Sequence, residues 1–263
     1  MGERELPLPT FLIIGAQKSA TRWLRLNLGL HPDIFTAARE IEFFNSATHF
    51  NGPGTTWYRQ QFEGWDGQSL VGEATPGYMF WRHQPAVMAE RIQQTVPDAR
   101  LIAILRNPVD RAQSALIHHI EGKSLPAETD LLEFVHASPP ERERLGIIAG
   151  GWYAASLEPF QARFGERLLV LLHDDADDDP RGVYDRAVKH VGADADFFPP
   201  ELERVRFSYQ QRQRPSGEAH AERELTLAGR RELFDTFFAD DIRKLEEMID
   251  RDLSCWDPEH ASG

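Results

Sequence analysis

Between Phe11 and Leu24 the chain reads Phe-Leu-Ile-Ile-Gly-Ala-Gln-Lys-Ser-Ala-Thr-Arg-Trp-Leu. Four apolar residues run straight into a glycine. A lysine, two hydroxyls and an arginine follow, and then a helical pattern starts. That order predicts a buried strand over 11–15, an anion-cradling loop, and a helix starting near Ala20 or Thr21. The first N–H groups of a helix have no partner within it, and its aligned peptide dipoles place roughly half a positive charge there. Lys18 adds a compact positive charge, and Ser19 and Thr21 add donors. A phosphate or sulfate group is the natural guest of such a loop.

Two further continuous apolar runs, Arg100–Arg106 and Arg167–His173, read as buried strands, and Leu70–Glu73 reads as a shorter one. Helical patterns lie between them. In the first helix Ala20, Trp23, Leu24, Leu28 and His31 share one face, and Pro32 disfavours helix at His31. Helices are expected at 57–62, at 85–95 with Pro85 in the first turn, and at 109–120 behind an Asn107-Pro108 cap. Others are expected at 151–164 and 180–192, with one long helix over 222–251. Residues 121–146 read as loop with short helices, and 196–221 as irregular. Continuous apolar strands alternating with amphipathic helices specify a parallel sheet covered on both faces. The fold class is α/β, a three-layer α/β/α arrangement with a central parallel sheet. No repeat or linker interrupts it, so residues 1–263 are read as a single domain.

The charge balance narrows the partners. A net charge of −13 disfavours long-range steering of a polyanion, so no nucleic-acid partner is expected. The acidic run Asp174-Asp175-Ala176-Asp177-Asp178-Asp179 reads as a solvated loop, lacking the alternating ligands and turn glycine of a calcium loop. No apolar run approaches ~18 residues, so no transmembrane helix is expected. The N-terminus lacks the basic-then-apolar order of a secretory signal. One cysteine, Cys255, leaves no internal disulfide and no cysteine metal cluster, and a cytoplasmic location is expected.

Ligands of open α/β sheets sit beyond the carboxyl ends of the strands. Three places in the chain meet that rule. They are the loop 15–22, the stretch Glu73-Ala74-Thr75-Pro76, and Arg106 with Ser114 eight residues on. Arginine presents a fork that matches phosphate, and a serine hydroxyl adds a donor. Arg106 can equally cap a helix or join a surface ion pair, and Glu73 can fix a loop or take part in chemistry. The ordinary phosphate loop, Gly-x4-Gly-Lys-Ser/Thr, is absent, because Lys18 follows Gly15 by only three residues.

The shortened loop Gly15–Arg22, together with Leu105-Arg106-Asn107-Pro108-Val109-Asp110-Arg111-Ala112-Gln113-Ser114, resembles the sulfotransferases that use 3′-phosphoadenosine 5′-phosphosulfate (PAPS). The resemblance extends to the heparan sulfate N- and O-sulfotransferase branch and its bacterial relatives. Arg39-Glu40-Ile41-Glu42-Phe43-Phe44-Asn45 is similar to the motif whose glutamate is that branch's general base. Gly151-Trp152-Tyr153 and the ending Leu253-Ser254-Cys255-Trp256 are similar too.

The resemblance implies a sulfotransferase fold of the phosphate-loop nucleotide-binding kind. It also implies PAPS as donor, with 3′,5′-adenosine bisphosphate (PAP) as product. Lys18 would neutralise the bridging oxygen, Ser19, Ala20 and Thr21 would hold the 5′-phosphate, and Arg22, Arg106 and Ser114 the 3′-phosphate side or the sulfonate. Glu40 would take the acceptor's proton, with His118 supporting the base or donating to the sulfonate. Arg212 or Arg214, near Gly217, would stand in for the branch's C-terminal Lys-Gly-Arg loop, and Ala74 replaces its lysine. The implied acceptor is a hydroxyl or amine of a small molecule, sugar or glycolipid. No metal is needed, since Lys18 and the arginines supply the positive charge. Two rivals are a phosphate-loop kinase of a small metabolite, which needs the missing Gly-Lys pair, and a non-catalytic nucleotide-binding regulator, which Ala74 favours.

Overall fold

The structure, a computed structural model, describes residues 5–80, 82, 84–137, 139–200, 202 and 225–259. The sequence reading takes residues 1–263 as one domain. By its internal contacts the chain divides into two compact units, Met1–Leu105 with Leu157–Arg206, and Arg106–Ser156 with Phe207–Gly263.

The first unit holds the whole sheet. Its strands are β1 (Phe11–Gly15), β2 (Ile34–Thr36), β3 (Leu70–Ala74), β4 (Arg100–Leu105) and β5 (Leu168–Leu172), all parallel in the order β2-β3-β1-β4-β5. Phe11, Leu12, Ile13 and Ile14 are each fully buried. That is why β1 reads as an unbroken apolar run: a central parallel strand has no wet face. The helices in chain order are α1 (Thr21–Leu28), α2 (Ala47–Asn51), α3 (Gly54–Gln60), α4 (Pro85–Thr95), α5 (Pro108–Glu121), α6 (Leu131–Ala137), α7 (Pro139–Leu145), α8 (Tyr153–Phe164), α9 (His173–Asp178) and α10 (Pro180–Val191). Helices Leu227–Phe237 and Ala239–Ile249 follow.

One layer of core forms where Phe11, Ile13, Ile102, Ile104 and Leu171 of the sheet meet two helices. Trp23, Leu24 and Leu28 come from α1, and Val183, Tyr184, Ala187, Val188 and Val191 from α10. The spacing of both sets is that of one helical face. Each large apolar side chain buried there contributes roughly 1.5–3 kcal/mol. From β1 the chain moves toward β3 and the edge strand β2, whereas β4 leads to β5 on the other side. The sheet therefore switches direction at β1 and β4, and a ligand crevice belongs beyond their carboxyl ends. The loop 16–20 sits there.

Several expectations need correction. Helix α1 stops at Leu28, because Gly29, Leu30 and His31 close successive turns on Arg25, Asn27 and Leu28 carbonyls. His31 is buried after that turn, with Nδ1 accepting from the Asp33 N–H at 3.1 Å and Nε2 lying 3.0 Å from the Asp194 carbonyl. The acidic run is helix α9 rather than a loop. Asp174 and Asp175 lie in its first turn, where the dipole favours them, and Ala176 is buried. Asp179 then caps α10 by accepting from the Gly182 N–H at 2.8 Å. The expected long helix over 222–251 is two helices, broken at Phe238 (φ −124°), whose ring is buried. The break leaves Asp241 in the first turn of the last helix, where it accepts from the Ala154 and Ala155 N–H groups at the start of α8. Edge strand β2 is only three residues long and was not read from the sequence. Among the described residues no helix is long and apolar enough to cross a membrane.

Gly72 pairs with Phe11 across β3 and β1. A methyl group at Gly72 would lie 2.1 Å from the Phe11 ring. Gly72→Ala should therefore destabilise the fold by about 1–3 kcal/mol, the cost of overpacking a closed core. Chemical denaturation measures this, and an unchanged midpoint would contradict the packing described.

Candidate active site

The loop after β1 is strained and open at once. Gly15 is required by close approach, since a side chain there would meet the Met79 sulfur at 2.0 Å. Lys18 (φ 71°) and Ala20 (φ 68°) both adopt the left-handed conformation that non-glycine residues avoid. Each costs on the order of 1–3 kcal/mol and persists only where the surroundings impose it. Left-handed residues alternating along a turn gather successive N–H groups into an anion-binding concavity. Ala20 occupies the cap position of α1 and offers its N–H groups no side-chain acceptor. Ser19 is fully buried, and its hydroxyl has no hydrogen-bond partner. A buried hydroxyl left without a partner costs about 1–3 kcal/mol. The Ser19 hydroxyl is thus donor capacity that the protein itself leaves unused, which fits an anionic group.

Beside the start of α1 lies a cavity of about 210 Å³, lined by Thr21, Arg22, Arg25, Arg39, Glu40 and Ala74 among others. Three of the residues predicted from sequence, Thr21, Arg22 and Glu40, come together in its wall. Arg25, Arg39 and the methyl of Ala74 complete it. Arg25 donates to the Ala37 carbonyl at 2.7 Å. Burial, and then the neighbouring Arg22, lower the pKa of its guanidinium. Glu40 is exposed as a residue, yet partial burial of its carboxyl raises its pKa, Glu42 raises it further, and Arg25 opposes the shift. A carboxylate so placed is a better proton acceptor than a free one.

Behind Ala74, Glu73 is fully buried. It accepts from Tyr58 OH at 2.6 Å, Tyr78 OH at 2.8 Å and Thr75 Oγ1 at 2.6 Å. Burial raises its pKa against the pull of those three bonds. It stands outside the cavity lining.

In the second unit Arg106, Ser114 and His118 lie along the start and body of α5. Asn107 caps that helix as predicted, accepting from the Val109 and Asp110 N–H groups and donating to the Trp256 carbonyl at 3.2 Å. The Arg106 carbonyl accepts from Tyr153 OH at 2.8 Å. The Tyr153 and Trp256 motifs therefore both brace the segment that carries Arg106. Ser114 is buried, and His118 is exposed. Arg111 was not singled out from the sequence. It is fully buried and donates to the Gly146 and Ile147 carbonyls, and burial lowers its pKa to about 10. Its burial rests on carbonyls more than thirty residues away, which no local pattern shows. Arg212, Arg214 and Gly217 lie outside the described residues.

The chain belongs to the sulfotransferase family: the sulfotransferase domain matches residues 8–233. The membrane-associated sulfotransferase kil1 of Dictyostelium discoideum is 37% identical over 50% of this chain and 28% of its own length. The mouse bifunctional heparan sulfate N-deacetylase/N-sulfotransferase 4 is 30% identical over 70% of this chain and 22% of its own. The chain thus spans less than a third of either relative's length. A crystal structure of a sulfotransferase from Alicyclobacillus acidocaldarius superposes with a TM-score of 0.77 at 29% identity, covering 95% of this chain and 99% of that one. Family and fold together support a transferase.

Removing a like charge favours the ionised form of a carboxyl. Glu42→Gln should therefore lower the pKa of Glu40, and Arg25→Gln should raise it. Carbon-13 NMR of the labelled glutamate carboxyls follows both. A Glu40 titration indifferent to either change would contradict the cavity's electrostatics.

Proposed function

We propose that this chain transfers a sulfuryl group from PAPS to a hydroxyl or amine of a small-molecule, sugar or glycolipid acceptor, with Glu40 as general base. The observation that carries this reading is the pairing of the buried, unpartnered Ser19 hydroxyl, just before the start of α1, with a base-bearing cavity beside that helix start. When bound, the donor supplies a sulfuryl group whose bond from sulfur to the 5′-phosphate oxygen breaks as the acceptor oxygen or nitrogen bonds to sulfur. The leaving electron pair stays on that phosphate oxygen, and the acceptor's proton goes to Glu40.

The protein's part is positioning and charge. Lys18 neutralises the bridging oxygen. Ser19, Ala20 and Thr21 hold the 5′-phosphate through backbone N–H groups and hydroxyls. Arg22, Arg106 and Ser114 take the 3′-phosphate side or the sulfonate, His118 supports the base or donates to the sulfonate, and Arg212 or Arg214, with Gly217, binds the nucleotide. Ala74 in place of the branch's lysine, together with the net charge of −13, supports a small acceptor over a long polyanion. A single cysteine suits a cytoplasmic setting.

Incubation with PAPS and EDTA should yield sulfated product, whereas ATP with magnesium should yield no phosphorylated one. The opposite pattern would favour a kinase. PAP binding without transfer to any acceptor would favour a regulator. Lys18→Ala should lower turnover by at least ~10²-fold, the scale for losing one preorganised charge stabiliser. Glu40→Gln should lose transfer and keep PAP affinity; if PAP affinity disappears as well, Glu40 is structural.

A further inference from the structure

We infer that Glu73 is a positioning residue that aligns the Glu40-bearing segment through the hydroxyls of Thr75 and Tyr78. The inference rests on the reading of Glu40 as base. A hydroxyl has one proton to give. Thr75 and Tyr78 commit theirs to the Glu73 carboxylate, and so does Tyr58. What remains on Thr75 and Tyr78 are lone pairs, and these accept from three consecutive backbone amides. The Ile41 and Glu42 N–H groups donate to Thr75 Oγ1 at 3.1 and 3.3 Å, and the Phe43 N–H donates to Tyr78 OH at 3.1 Å.

Glu73 decides which way both hydroxyls face, and the Ile41 N–H acts on its carboxylate directly as well. The segment it fixes needs fixing. Glu42 is left-handed (φ 56°), so the chain turns sharply one residue past Ile41, and Ile41 and Phe43 are buried while Glu40 and Glu42 face out. A buried carboxylate with no ion pair among the described residues is expensive to keep. Three hydroxyl donors around it make it an anchor rather than an acid in the reaction.

Glu73→Gln tests this with little change of volume. An amide donates from one side, so it cannot accept from all three hydroxyls, and at least one must reverse. Amide hydrogen exchange, resolved by NMR, should then quicken by at least about tenfold, the scale of one buried hydrogen bond lost, at Ile41 and Glu42 if Thr75 reverses or at Phe43 if Tyr78 does. Turnover should fall while KM for PAPS and the affinity for PAP stay at wild-type values. Tyr58→Phe removes a donor that holds no amide, and should leave exchange at the three positions unchanged. Tyr78→Phe, which takes away the acceptor of Phe43 alone, should quicken Phe43 selectively, and it keeps the test alive if Glu73→Gln does not fold. Unchanged exchange in a folded Glu73→Gln variant overturns the inference, and so does faster exchange with unaltered turnover. If the wild type neither binds PAP nor transfers, the sulfuryl reading fails by itself, and the exchange comparison still decides whether Glu73 orders this segment.

Discussion

Backbone N–H groups at the start of α1 must be satisfied, and no side chain of the cap position does it. Everything around them keeps that opening in place. β1 is buried on both faces, so the loop leaves the sheet from a fixed point. The core packing of Trp23 and Leu24 holds the helix from the other side. Between these anchors Lys18 and Ala20 are forced into left-handed backbone, and Ser19 is buried with an idle hydroxyl. A buried hydroxyl without an internal partner, set between two left-handed residues, is arranged for an external one.

Charge operates on two scales here. The whole chain is acidic at −13, yet the cavity beside α1 is lined by Arg22, Arg25 and Arg39. Screening over about 8–10 Å separates the two, so a basic pocket survives on an acidic surface. Within that pocket burial and then Glu42 push the Glu40 carboxyl away from its ionised form, while the Arg25 guanidinium pulls the other way. The balance leaves a carboxyl raised above its ordinary range but held next to compensating charge.

Much of the fold was legible because its signals are local. Continuous apolar runs at 11–14, 101–105 and 168–172 are short enough to read as interior parallel strands, and Pro85 and Asn107-Pro108 mark helix starts by their own chemistry. What was not legible depends on distant partners. The break at Phe238 follows from burial of that ring and from Asp241 capping a helix more than eighty residues earlier. Helix α9 looked like a loop because its charge hid the one buried alanine. The site divided the same way. The loop 15–22 and Glu40 stand out as motifs, whereas Arg25, Tyr58 and Arg111 matter only through where the fold puts them. Tyr58 reads as one aromatic in a short helix until β3 brings Glu73 to it.

The central claim is that the start of α1 receives the phosphate of an adenosine bisphosphate. Titrating unlabelled PAP into nitrogen-15-labelled protein tests it at the atoms concerned. The amide resonances of Ser19, Ala20, Thr21 and Arg22 should shift together and saturate with one affinity. If PAP binds and those four amides stay in place, or if it does not bind at all, the loop is not the donor site.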